Sequence, residues 1–214
     1  MATRKTARRE AAREAPGEDG HDEPKVWVPT MVFFTHGVGT HETQRVAMQR
    51  AMEEAGVAEC NMVKVSSVIP PSCRIISREH GRRLLRSGGI VHAVIAQGET
   101  NEPHQRVTAA LCFAQPDSDR YPGFITEVEE EETKGKSAKT ATDEAGEALL
   151  TIVAEKIRAK VDAKKLWAKR GRDRKVRVGR ETVRVGAITA TAVAPEKQGD
   201  TERWAVAMAF AVYL

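Results

Sequence analysis

The chain has 214 residues, 41% of them apolar, 30% charged and 5% aromatic, with a formal net charge of +4 and a pI near 9.0. That describes one decorated domain, long enough to bury an aliphatic core, and its mild basicity does not by itself imply a nucleic-acid partner. No apolar run reaches bilayer length and the basic N-terminus lacks an apolar h-region, so the expected location is the cytoplasm, with no membrane partner.

Residues 1–25 carry almost no large apolar side chains. They cannot offset the entropy of ordering and read as a disordered tail; residues 26–214 read as a single domain. Val26 to Phe34 reads as the first strand, with Pro29 restricting its start to an edge or entry position. Gly37-Val38-Gly39-Thr40 reads as a glycine-rich turn before a helix. That pattern is weak for phosphate binding, because the lysine of a Walker loop is missing. Thr40 or Thr43 would cap a helix running to about Ala55, with Val46, Ala47, Ala51, Met52 and Ala55 on its buried stripe and Gly56 at its C-terminal stop.

Asn61 to Pro71 comes next. Val63, Val65, Val68 and Ile69 favour extended backbone, and Pro70-Pro71 stops regular pairing. Two readings stand at this point. A strand ending in a proline turn with two serines is ordinary. Alternatively, the Ser67 hydroxyl could attack the Ser66 carbonyl if the backbone is constrained and an oxyanion donor is near.

A helical turn is expected around Arg78 to Leu85, and then strands at Ile90–Ala96, Val107–Ala114 and Phe124–Val128. The turns between them fall at Gly98–Pro103 and Asp117–Gly123. After the acidic run Glu129–Glu132 and the loop Thr133–Thr142, Asp143 reads as the N-cap of a long helix with Leu149, Leu150, Val153, Ile157 and Val161 on one face. The stretch 164–184 is rich in Lys and Arg. Within it, Val176, Val178, Val183 and Val185 alternate with charge, as in a hairpin turning at Gly179 with one wet face. Ala187–Ala194 and Trp204–Leu214 close the chain as two apolar strands. In the last of these, Ala205, Ala207, Ala209 and Ala211 alternate with larger residues, so its small face would let a second layer approach closely.

Cys60, Cys73 and Cys112 show no metal or disulfide spacing, and the six histidines include no H-E-x-x-H pattern. No metal is expected, at His36 and His41 or elsewhere.

The segment Asn61-x-x-x-x-Ser66-Ser67-Val68-Ile69-Pro70-Pro71 closely resembles the processing segment of the pyruvoyl-dependent arginine decarboxylases. The likeness continues through Gly37-Val38-Gly39, Thr43, Ala55-Gly56, Gly98-Glu99-Thr100, Gly123-Phe124-Ile125-Thr126-Glu127 and the apolar tail from Trp204 to Tyr213. It implies an α/β (α+β) fold, a four-layer αββα sandwich of mixed or antiparallel sheets, assembled as a homotrimer or a dimer of trimers. It implies self-cleavage into chains 1–66 and 67–214, with a covalent pyruvoyl group derived from Ser67 and no pyridoxal phosphate. That ketone would form a Schiff base with the α-amine of an amino acid and draw electrons from the Cα–carboxylate bond. Glu127 occupies the position of the family's proton donor. Asn61 would polarise a carbonyl or orient the substrate, and Gln49 and Val68 stand at substrate-binding positions. The Gly37 segment is implied to line an active site at a subunit interface.

One departure stands out. Where arginine-specific relatives are expected to hold the guanidinium with an aspartate, this chain has Gln49, which cannot neutralise it. Arginine to agmatine is the default reaction. The alternative is a non-catalytic or altered-substrate paralogue binding a metabolite or partner. A nucleic-acid-binding role for the basic segments is disfavoured by their sparse aromatics, Trp167 alone.

Overall fold

The computed structural model describes residues 26–128, 138–170, 174–199 and 201–214. The fold is α+β, built on two five-stranded sheets. Strands β1 (Met31–His41), β5 (Ile90–Thr100) and β10 (Trp204–Tyr213) form the middle of the first sheet, whose order is β2-β5-β10-β1-β4. They pair antiparallel, while the edge strands β2 (Asn61–Lys64) and β4 (Arg74–Ile76) run parallel to their neighbours. The second sheet, in the order β3-β7-β6-β9-β8, is antiparallel throughout. It consists of β3 (Val68–Ile69), β6 (Arg106–Pro116), β7 (Gly123–Val128), β8 (Lys175–Val178) and β9 (Glu181–Val193).

Period-two patterning decides what each sheet face buries. On β10, Ala205, Ala207, Ala209 and Ala211 pack with Val107, Leu111, Phe113 and Ile125 of the second sheet, whereas Val206, Met208, Phe210 and Val212 pack on the other side with the helix α1 (Gln44–Ala55). The small face expected from the sequence thus meets the second sheet. Phe34 of β1 stacks on Phe113 of β6 across that interface, ring centroids 4.5 Å apart.

Gly37 and Gly39 form no turn. They lie inside β1, where a Cβ would run into the carbonyl oxygens of Ala51 and Ala47 on α1. The glycines and the alanine stripe Ala47, Ala51, Ala55 together let helix and strand touch. Thr43 does sit at the N-cap position, but its side chain makes no capping bond there; Gly56 ends α1 in the left-handed conformation, φ 77°. Ser77 caps α2 (Arg78–Leu84) through its hydroxyl, which accepts from the His80 amide at 3.2 Å. The expected turn at Gly98 is likewise strand, since β5 continues to Thr100.

The far face of the second sheet is covered by α3 (Ala138–Lys156) and α4 (Ala163–Ala168). Leu149, Leu150 and Val153 of α3 are buried, as their spacing predicts; each fully buried side chain of this size contributes ~1.5–3 kcal/mol. Asp143 does not cap α3, which begins earlier. It lies within the helix and accepts from Trp167 Nε1 at 3.0 Å, from Lys139 and from Arg170. The hairpin β8–β9 turns at Gly179, φ 61°, and Val176, Val178, Val183 and Val185 are buried in the cluster that includes Trp167. The strands expected on either side of Gly186 are one, β9, and Phe113 packs over that glycine. The run Glu129–Glu132 and the loop to residue 137 lie outside the described residues, as do residues 1–25. Among the described residues, no helix is long and apolar enough to cross a membrane.

Candidate active site

The serine segment is not one strand. It pairs with β5 of the first sheet as β2, leaves at Val65, and rejoins as β3 on β7 of the second sheet. The Ser66–Ser67 peptide bond spans the gap. Upstream, the Val65 amide donates to the Ala93 carbonyl at 3.0 Å; downstream, the Ser67 carbonyl accepts from the Ile125 amide at 2.9 Å. Each side of the bond is therefore anchored in a different sheet. Pro70 ends the pairing of β3, as expected, and the Cys73 amide closes a turn onto its carbonyl at 3.1 Å.

Within the gap, the Val68 amide donates to the Ser66 carbonyl at 3.0 Å. That closes a three-residue γ-turn centred on Ser67. The Ser66 carbonyl carbon is the electrophile in any attack by the Ser67 hydroxyl, and its oxygen already faces a donor. The Ser67 hydroxyl in turn donates to Glu127 Oε2 at 2.8 Å, across 60 residues of sequence. Glu127 sits on β7, two residues along the same face from Ile125, which packs between the sheets. Both partners are half-buried. A half-buried serine with a carboxylate acceptor and a carbonyl held beside it can undergo an intramolecular acyl shift.

Tyr213 completes this constellation. Its phenol donates to the Val68 carbonyl at 2.9 Å, bringing residues 145 positions apart into contact. The ring is buried, and burial, the neighbouring Cys73 thiol and the Glu127 carboxylate push its pKa well above the usual tyrosine value, so it stays protonated and can donate. Sequence reading placed the apolar tail correctly but gave Tyr213 no role. The available signal was its parity: it continues the Ala205–Ala211 face that meets the second sheet.

The N-terminal residues Val26 to Pro29, expected as strand, instead run past the site. They line a cleft of about 560 Å³ with Val65, Ser66, Val68, Pro70, His92 and Tyr213. Trp27 packs against the His92 ring at 4.9 Å between centroids. Val68, expected at a substrate-binding position, is on the wall of this cleft and largely exposed.

The remaining site residues are not gathered here. Asn61 opens β2, separated from the serines by the length of that strand, and its side-chain amide donates to the Gly88 carbonyl at 2.8 Å. Gln49 lies exposed on α1, its amide 3.3 Å from Glu53 Oε1. Arg50 beside it donates to the Thr40 carbonyl at 2.7 Å. A separate cleft of about 460 Å³ lies along α1 and β5, lined by Met48, Met52, Met62, Lys64, Gln97 and Glu99 among others. His36 is partly buried and held below the usual histidine range by that burial and by the Arg78 guanidinium, with Glu54 opposing them. Among the described residues no group of three or more His, Cys, Asp or Glu side chains is placed to hold a metal.

The profile of a family described as pyruvoyl-dependent arginine decarboxylase matches residues 31–214. A probable pyruvoyl-dependent arginine decarboxylase of Chlorobaculum tepidum is 31% identical over 188 residues, covering 88% of this chain and 98% of its own length. A pyruvoyl-dependent arginine decarboxylase of Methanococcoides burtonii is 35% identical over 146 residues, 68% of this chain and 79% of its own. One from Nitrosopumilus maritimus is 30% identical over 190 residues, 87% and 97% respectively.

Proposed function

The chain belongs to the pyruvoyl-dependent arginine decarboxylase family and is an enzyme of the carboxy-lyase type, and on that premise we propose that it cleaves itself between Ser66 and Ser67 and decarboxylates arginine to agmatine. The observation that carries the proposal is the 2.8 Å bond from the Ser67 hydroxyl to Glu127, made where the chain passes between the sheets.

The processing chemistry follows from these groups. Ser67 Oγ attacks the Ser66 carbonyl carbon while Glu127 accepts the hydroxyl proton. The C–N bond to Ser67 breaks, its nitrogen takes up a proton, and an ester joins Ser66 to the Ser67 side chain. The Val68 amide, 3.0 Å from the Ser66 oxygen, supports the negative charge that develops there. Loss of the Ser67 α-proton with rupture of the Cβ–Oγ bond leaves Ser66 as a carboxylate and dehydroalanine at 67. Addition of water and release of ammonia then leave a pyruvoyl group.

Residues around position 67 suit such a group: the Ile125 amide fixes the adjoining carbonyl and Glu127 reaches the Ser67 side chain. Once formed, the pyruvoyl ketone supplies the electron sink that lets a bound amino acid lose CO₂. Glu127 then has a second task, returning a proton to the substrate α-carbon. Val68 and the cleft wall around it would contact substrate, with Gln49 and Asn61 contributing from neighbouring copies.

We read the three apolar clusters, one between the sheets and one beneath the helices on either outer face, as a four-layer αββα sandwich. The assembly proposed is a homotrimer or a dimer of trimers, and the location cytoplasmic. Intact-mass spectrometry of the purified protein tests the core of the proposal. Two chains divided after Ser66, the larger bearing a ketone, together with agmatine formed from arginine, are expected. A single uncleaved chain under all conditions would overturn it.

A further inference from the structure

We propose that Tyr213 is a positioning residue for self-processing: by holding the Val68 carbonyl from the opposite sheet, it fixes the γ-turn that presents the Ser66 carbonyl to the Ser67 hydroxyl. The inference rests on the self-cleavage reading above and extends it to a residue outside the processing segment.

β3 is only two residues long and lies at the edge of its sheet. Two residues of pairing cannot hold a turn in one geometry, and an edge strand leaves half of its polar groups without a partner. Three bonds supply what the pairing does not. The Ile125 amide holds the Ser67 carbonyl, the Val68 amide holds the Ser66 carbonyl, and the Tyr213 hydroxyl holds the Val68 carbonyl. The first belongs to the second sheet and the second to the turn itself. Of the three, only the Tyr213 bond reaches back to the first sheet, where β10 pairs with β5 and places Tyr213 opposite His92, one residue from the Ala93 carbonyl that anchors Val65. Tyr213 therefore ties the downstream side of the Ser66–Ser67 bond to the strand pair that carries the upstream side. It fixes the separation of the two anchors, and with it the approach of Oγ to the carbonyl carbon. A displacement of about 1 Å in such a geometry is enough to cost on the order of 10²-fold in rate.

Tyr213 touches neither Ser67 Oγ nor the Ser66 carbonyl in any bond described, so its effect passes through Val68. The role proposed here concerns the acyl shift. After the Ser66–Ser67 link is cut, the two ends no longer need a shared register.

The test is Tyr213→Phe, which removes the hydroxyl and keeps the ring. Freshly produced wild-type and variant chains are followed by intact mass, with and without hydroxylamine, which cleaves an ester but not an amide. The inference expects the variant to process at least tenfold more slowly and hydroxylamine to leave it slow. Equal processing rates overturn the inference, as does rescue by hydroxylamine, which would mean that the ester forms normally. Val212→Ala, on the same strand but facing α1, controls for stability. If it slows processing as much at an equal fall in thermal midpoint, the effect is structural and the inference is overturned. A wild-type chain that never cleaves overturns the parent proposal and this one together; a cleaving wild type with an equally fast variant overturns this one alone.

Discussion

The Ser67–Glu127 centre and the separate positions Gln49 and Asn61 differ in how far one chain can complete them. At the first, every group is already engaged: hydroxyl to carboxylate, carbonyl to amide, phenol to carbonyl. At the second, Gln49 and Asn61 are exposed and their side chains bond within their own neighbourhood, to Glu53 and to the Gly88 carbonyl. The groups proposed for the acyl shift thus meet within the fold of one copy. Substrate recognition, if it uses those two residues, needs surfaces that a single copy does not bring together.

The comparison breaks most decisively at Ser67. Ser67→Ala should leave one uncleaved chain and no amine product, read by intact mass and product assay; cleavage in that variant would place the chemistry elsewhere. Next is Glu127→Gln, which keeps the shape and loses the ionisable proton. Product formation from whatever fraction is processed should fall by about 10²–10⁴, the usual contribution of a general acid or base. A smaller loss would assign the proton transfer to another group.

The α1 side should respond through stability and binding instead. Gly37→Ala forces a methyl against the Ala51 carbonyl, and overpacking of this kind costs about 1–3 kcal/mol, measurable as a lowered denaturation midpoint. Gln49→Asp, exposed on α1, should change stability by no more than about 0.5 kcal/mol and leave self-cleavage at the wild-type rate. It should, however, lower KM for arginine relative to uncharged amino acids if the position faces the guanidinium. An unchanged KM would remove Gln49 from recognition. The smallest effect concerns cleavage itself. β1 lies between β10 and β4, and β2 beside β5, so chains 1–66 and 67–214 should co-elute under native conditions and separate only in denaturant.

Much of the fold was legible because alternation and helical spacing report burial directly. The alanines of β10, the valines of β8 and β9 and Leu149, Leu150 and Val153 on α3 lie where their periods put them, whereas Ile157 and Val161, expected on the same helix face, fall beyond its end at Lys156. The misreadings share a cause. Gly37 and Gly39 carry the local signature of a turn, yet serve a helix that crosses the strand closely. Asp143 carries the signature of a cap, yet its carboxylate is taken by Trp167, 24 residues away, and by Arg170. In both, a tertiary partner overrode a local preference. Parity also left Glu127 unseparated from the acidic residues that follow it, and only its bond to Ser67 singles it out.

The order of residues alone specified the strand faces, the serine pair stopped by two prolines, and the family to which they belong, because these are local patterns or linear motifs. Only the folded chain decided that the serines bridge two sheets, that Glu127 meets one of them, and that Tyr213 reaches the Val68 carbonyl. Those contacts join positions 60 and 145 apart. They are fixed by how the sheets stack and by where β2 and β3 fall at their edges, which no short-range period encodes.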